Sequence, residues 1–411
     1  MAYRDDIAAL SPDHHWVFDG NSTALIGGVN GTETGIAAGS AIAEDASASR
    51  ITDGTGDRIA LPTTTTINNS AQSRKVVAGW FMPTAIQTPP KRIYGEGLQS
   101  PLFQFMFAFG NNSMFEVVDS GFTLQIFGPV LQPNRAYHLC GVFEGNGFDN
   151  KARFYVDGVE QVLAEPANRQ PGAATLTARG VGEWGDPSGG SGVGGDSVLL
   201  NGAVNGHLQH WAMWNGASLT DTQVRQELFE KGALPDVTIA SDTQGNMQTA
   251  LNALTGTTRP DAPLCIRIEA VSGGGDFALD LDNVTFDERA SIHIQYMGAD
   301  TLTVTNINGS DAAIASTPNG GTLDIVNPAT LTVSPLVVGS EVRIYAAGTA
   351  TELAGVEASG ASFQAALTAA SVDVVIHSLG YLNIREKALD MSGGDVSLPV
   401  SQVFDRQYEN A

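Results

Sequence analysis

The chain has 411 residues, more than one ordinary domain needs, and only 16% of them are charged while 47 are glycine. That balance excludes a long helical bundle and indicates a β-rich chain with many turns. With 44 acidic against 21 basic residues the formal charge is −23, which repels phosphate backbones and anionic membranes and excludes nucleic acid as a partner.

No run of 18 apolar residues occurs, so no helical membrane span is expected. Residues 1–6 are polar and acidic with no apolar core behind them, which reads as the absence of an export signal. The two cysteines, Cys140 and Cys265, sit in apolar strand-like runs and read as small buried hydrophobes in a reducing compartment. A short helical turn precedes Asp13-His14-His15-Trp16-Val17-Phe18, an opening strand on which His14 and His15 face opposite sides. The following Gly- and Ser-rich stretch ends in Asp53-Gly54-Thr55-Gly56-Asp57. Asp53 and Asp57 there are candidates for a Ca²⁺ loop, or for a turn held by carboxylate-to-backbone bonds.

Strand patterns fill residues 75–130. Their phenylalanine-rich runs, 102–109 and 122–127, read as core. Residues 152–162 alternate apolar and polar up to Asp157-Gly158 and resume beyond it, a two-residue hairpin signal. Residues 181–202 read as a long Gly-rich loop carrying Trp184, Asp186 and Asp196. A tryptophan face beside two carboxylates fits the rim of a sugar site, and it equally fits an ordered loop whose tryptophan plugs its own base. A capped helix is expected over 220–232, from Thr220 to Gly232, and a second over 243–255. Residues 262–335 give strands that fit a small β-sandwich or a stacked β module. Asp280, Asp282 and Asp287 there could hold a metal ion, while Asp280 and Asp282 on one strand face also read as a solvated edge.

Four passages occur in a telling order: Val77-Ala78-Gly79-Trp80-Phe81-Met82-Pro83, Tyr137-His138-Leu139, Tyr155-Val156-Asp157-Gly158, and the run from Gly206 through Trp214 to Leu219-Thr220-Asp221. Together they resemble the LamG-like, concanavalin A-type jelly roll over residues 1–235. Farther on, Val342-Arg343-Ile344-Tyr345, Glu352-Leu353-Ala354-Gly355-Val356-Glu357, the run from Val372 to Tyr381 and Asp405-Arg406-Gln407-Tyr408 resemble a terminal β-domain of tailed-bacteriophage virion proteins. The fold expected is all-β: a jelly-roll β-sandwich over 1–235, then two smaller β-sandwich domains, a middle one over 236–335 with a leading helix and a C-terminal one over 336–411. The second resemblance implies attachment to the particle or oligomerisation by the C-terminal unit, with other virion proteins as partners and a homo-oligomer, a trimer in the first instance.

An enzymatic reading lacks carriers. Neither Glu116-Val117-Val118-Asp119 nor Asp287-Glu288 matches the strand motif of retaining glycosidases on such folds, and no nucleophile elbow or zinc motif occurs. His377 on its apolar strand reads as a core or interface histidine. The expectation is a virion structural protein, capsid-decorating or tail-associated and assembled in the host cytoplasm. It would have no catalytic residues and no cofactor beyond the Ca²⁺ alternative, and would display a jelly roll for adhesion to host polysaccharide or for stabilising the particle. A phage polysaccharide depolymerase and a bacterial surface adhesin are the alternatives.

Overall fold

The computed structural model describes residues 3–53, 57–60, 74–86, 91–96, 102–107, 112–119, 122–145, 150–161, 182–185, 205–241, 243–270, 276–392 and 394–405. The chain is all-β, with a few short helices. Two antiparallel sheets are built from its first half. The larger has nine strands, with Asn150–Val156, Tyr137–Gly145, Arg74–Pro83, Asn205–Asn215 and His14–Trp16 lying side by side in that order. The smaller has seven, in the order Phe122–Val130, Asn112–Asp119, Leu102–Phe107, Lys91–Glu96, Gly182–Gly185, Arg58–Ala60 and Thr32–Thr34.

The core between these sheets takes alternate residues from each strand: Val77 and Phe81, Leu139 and Phe143, Phe115 and Val117, Leu124 and Ile126. The intervening residues of the nine-stranded sheet are buried too. Val76, Ala78 and Trp80, with Cys140 and Val142, form a second core under the helix Tyr3–Ala9 and the π-helical segment Gln223–Glu230. Burial on both faces explains why Arg74–Pro83 and Tyr137–Gly145 read as nearly unbroken apolar runs. Thr220 and Gln223 cap the π-helical segment reciprocally. Gln223 N–H donates to the Thr220 hydroxyl at 3.2 Å, and Thr220 N–H donates to Gln223 Oε1 at 2.9 Å.

A β-bulge between Gln209 and Ala212 lays Trp211 over Gly79. A Cβ at Gly79 would stand 2.3 Å from the fully buried Trp211 ring. Gly79→Ala is therefore expected to lower stability by about 1–3 kcal/mol, read as a fall in denaturant midpoint at unchanged slope.

The Asp157-Gly158 hairpin forms as expected, with φ of 51° and 71° at its two central residues. Its carboxylate does more than hold the turn. Oδ1 accepts from His138 N–H at 2.9 Å, and Oδ2 accepts from Arg135 Nη1 at 2.7 Å and from the Ser291 hydroxyl at 2.8 Å. Arg135 also donates to Asp261 at 2.5 Å and to Ser291 at 2.6 Å, and both of those residues belong to the segment after the jelly roll. A second buried arginine repeats the pattern: Arg267 donates to Gln295, to Glu44 and to the Ala233 carbonyl, each at 2.8 Å. Leu264 and Ile292 join the core under the nine-stranded sheet, so the middle segment closes that sheet's outer face.

The middle segment takes the stacked form rather than a sandwich. Its sheets are parallel: Pro235–Ser241 beside Leu264–Ala270, then Ile294–Tyr296, then Ala315–Ser316, while Phe277–Asp282, Thr301–Ile307 and Thr322–Val326 form a second face. Like residues align up the stack, as in Val237, Ile266 and Ile294, or Leu279, Val304 and Ile325. The expected helix is present as Gln244–Asn252. Thr243 is its cap, and Met247 and Leu251 are buried in the stack's core. Cys140 and Cys265 are both buried and unpaired, in separate cores, and burial pushes the Cys265 thiol up to about 12.

The C-terminal strands form a sandwich of three plus four strands around Leu331, Val333, Val342, Ile344, Val374 and Ile376. Ala329–Ser334, expected in the middle segment, pairs instead with Phe363–Leu367 and Val396–Pro399. His377 is exposed rather than core. Ile376 takes the core position, so the next residue of the strand faces out.

Candidate functional site

The outer face of the seven-stranded sheet carries a transverse row of polar positions. Register partners on adjacent strands share a face. Successive pairings link Thr32, Ala60, Glu183, Gly95, Gln104, Glu116 and Gln125 into one line across all seven strands. The residues flanking this row, Ile59, Tyr94, Phe115, Leu124 and Ile126, lie in the inter-sheet core, which fixes the row as outward. In register, Gly95 lies between the positions of Glu183 and Gln104, with Glu116 and Gln125 next along the line. Gln125 Nε2 donates to Glu116 Oε1 at 2.5 Å.

Beside this row lies an apolar platform. Met114 pairs with Phe127 and with Met106, two residues along from Glu116, Gln125 and Gln104. Phe127 is 36% exposed, whereas Met114 and Glu116 are only 5% and 9% exposed although they point away from the core. A sheet face with an open aromatic next to shielded polar groups can take a pyranose. The ring's apolar face stacks on the phenyl group, and amide and carboxylate groups meet the hydroxyls.

The same geometry opposes hydrolysis by this row. Glu183 and Glu116 are three strands apart, about 14 Å at a strand spacing near 4.8 Å. Retaining and inverting glycosidases hold their carboxyl groups about 5–9.5 Å apart. Glu116 and Asp119 differ by an odd number of positions and so fall on opposite faces of their strand.

No protein-family model matches the chain, and no curated protein matches it. Among solved structures it is similar to domain 4 of AbnA, a GH43 extracellular arabinanase from Geobacillus stearothermophilus in complex with arabinotriose, at 18% identity over 53% of this chain and 97% of that one, with a TM-score of 0.37. Trypanosoma rangeli sialidase shares 13% identity over 54% of this chain and 33% of its own, with a TM-score of 0.38. The binding domain of botulinum neurotoxin serotype D shares 10% over 54% and 51%, with a TM-score of 0.39. The chain thus spans about a third of the sialidase and half of the toxin domain. Likenesses at this level carry no inference about ligand or activity.

The sequence-derived candidates fall elsewhere. Trp184 is not on a loop: Gly182–Gly185 is a strand inside the seven-stranded sheet. Its register partners on either side, Ile59 and Tyr94, are both fully buried. Asp186 and Asp196 lie outside the described residues. Asp53 ends a strand of the nine-stranded sheet and Asp57 precedes a strand of the other. Asp57 is buried, with its carboxylate against Gly35, where φ is 74° and any Cβ would meet Oδ1 at 1.7 Å. Among the described residues no group of three His, Cys, Asp or Glu is placed to hold a metal ion.

The residues that sequence reasoning passed over are Gln125 and Phe127. The phenylalanine had been grouped with a continuous apolar run. The usable signal was alternation: Leu124 and Ile126 face the core, so Gln125 and Phe127 must share the other face.

A different cluster is buried under the helix Tyr3–Ala9. His210 sits at the bulge with φ of 47°. Its Nε2–H donates to the Glu44 carbonyl at 2.9 Å, which leaves Nδ1 to accept from His15 Nε2–H at 3.2 Å. His15 Nδ1 then carries a lone pair with no hydrogen-bond partner. Burial holds His15, His210 and His138 down to about 3, and the neighbouring ring adds to the effect at His15. These imidazoles are neutral structural groups.

Proposed function

We propose that the chain is a non-enzymatic glycan-binding structural protein whose outer seven-stranded face takes host-surface polysaccharide. The carrying observation is the polar row through Glu116 and Gln125 lying beside the open ring of Phe127. The wide separation of the Glu183 and Glu116 positions supports binding without cleavage. The setting we propose is a bacteriophage virion, and the support for it is the resemblance of the segments around Arg343, Glu352 and His377 to terminal virion domains.

Titrating surface polysaccharides into the full chain by calorimetry tests the binding. Phe127→Ala is expected to weaken it about tenfold, the equivalent of about 1.4 kcal/mol of lost stacking, with a modest fall in melting temperature because most of the ring is covered in the chain. No binding by the wild type removes the glycan reading. Release of reducing ends that Glu116→Gln abolishes would put an enzyme in its place. Absence of the chain from purified particles of the phage that encodes it would sink the virion setting.

A further inference from the structure

The inner face of the nine-stranded sheet carries a lysine among apolar residues. Lys75 is fully buried, a rare state for this residue type. It lies two positions from Val77 on Arg74–Pro83, and its register partners are Phe143 on one side and Asn215 on the other. Register partners share a face. Val77, Phe143 and Met213 all belong to the core between the two sheets, so Lys75 and Asn215 close that core at the strand ends.

The two side chains meet. Lys75 Nζ donates to Asn215 Oδ1 at 3.1 Å and lies 3.4 Å from Met213 Sδ. Asn215 Nδ2 is closed off from solvent and has no hydrogen-bond partner among the described residues. A buried donor left in this state carries its full desolvation cost and is uncommon in folded proteins. The backbone around the pair is fixed. Asn215 N–H donates to Asp13 Oδ2 at 2.6 Å, and Gly216 N–H donates to the Arg74 carbonyl at 2.8 Å.

An amine held against a carboxamide, away from water, is a pair of reactants. We propose that Lys75 and Asn215 condense into an intramolecular amide bond that joins the two strands covalently. Lys75 Nζ, as the neutral amine, attacks Asn215 Cγ. The Nζ–Cγ bond forms, the Cγ–Nδ2 bond breaks, and Nδ2 leaves as ammonia with one of the amine's protons. The step needs no oxidant and no second reactant. Fixed proximity supplies the effective concentration that a free amine and a free amide lack. Removal from water favours the uncharged amine that the attack requires. The product is a neutral amide, so the buried amino group and the orphaned Nδ2 both disappear from the core. Ammonia escapes to solvent, which draws the reaction forward. The bond ties Arg74–Pro83 to Asn205–Asn215 across 140 residues of chain, and a loop of that length restricts the unfolded state strongly.

Mass spectrometry of the full chain under denaturing conditions tests this. The wild type is expected to weigh less than its sequence by one ammonia, about 17 Da. Trypsin is expected to release segments 75–91 and 180–225 as one joined species. Lys75→Met and Asn215→Ala are each expected to abolish the joined species and restore the mass that the sequence gives. The wild-type digest decides the matter even where a variant does not fold. A wild type at full mass, with the two segments separate, overturns the proposal. So does an ammonia loss that persists in Lys75→Met, because ring closure at Asn215-Gly216 gives the same mass without the lysine.

Discussion

Asp157→Ala is expected to destabilise the chain by about 3–5 kcal/mol, because it breaks a buried ion pair by removing one partner. Arg135 and Asp157 are each 6% exposed. Without the carboxylate, His138 N–H and one arm of the Arg135 guanidinium lose their acceptor, and Ser291 loses the acceptor for its hydroxyl proton. Asp261 still holds the arginine's Nε, which keeps the effect within that range rather than above it. Alanine adds strain of about 1–2 kcal/mol at φ of 51°. Asp157→Asn separates the two contributions. Asparagine tolerates the left-handed turn and keeps an acceptor for His138, so only the charge is lost, and about 1–3 kcal/mol is expected. Urea denaturation of the three proteins measures this. An alanine variant within 1 kcal/mol of wild type would show that Arg135 and Ser291 do not dock the stacked module on the jelly roll.

That residue also marks how far the sequence could be read. The hairpin was legible because its signal is local: two alternating runs around Asp-Gly, with a backbone only such residues adopt readily. The docking was not legible. It depends on Asp261 and Ser291, more than a hundred residues away, and on an arginine whose neighbours in sequence give no sign of burial. The jelly roll was readable in the order of its aromatic strands. The stacked module was not, because short apolar runs such as Leu264–Ala270 look the same in a sandwich and in a parallel stack. The parallel pairing of Val237, Ile266, Ile294 and Ala315 is spaced unevenly along the chain and leaves no repeat to detect.

The candidate site shows the same division. Trp184 stood out because glycine surrounds it and glycine suggests a loop. The strand Gly182–Gly185 instead fills a gap between Lys91–Glu96 and Arg58–Ala60, where long-range pairing overrides local composition. Phe127 was hidden by the opposite error, an aromatic run taken as uniformly buried. Period-two alternation assigns faces correctly within one strand. It cannot say that Gln125, Glu116, Gln104, Gly95 and Glu183 fall in one line, because that requires the register of five strands.

Lowering the pH from 7.5 to 5 is expected to remove at least about 6 kcal/mol of stability, comparable with the whole stability of an ordinary domain. The sign follows from the buried imidazoles. His15, His138 and His210 titrate at about 3 in the folded chain against about 6.5 when unfolded. Burial lowers His207 and His293 as well, so the unfolded state takes up at least three protons that the folded state refuses, and stability falls steadily as pH drops below about 6.5 toward 3. At pH 5 each of the first three histidines contributes about 2 kcal/mol of that loss. The pair cannot escape by sharing a proton: His210 Nδ1 already accepts from His15, and a second proton there would face an N–H donor. His138→Phe, which keeps a ring beside Trp80, is expected to cut the pH-dependent loss by about 2 kcal/mol. Urea midpoints at both pH values for the wild type and His138→Phe measure the effect, and an equal loss in the variant would assign it to other groups. The buried histidines thus tie the stability of the nine-stranded sheet, and of the face proposed to bind glycan, to pH, although none of them lies on that face.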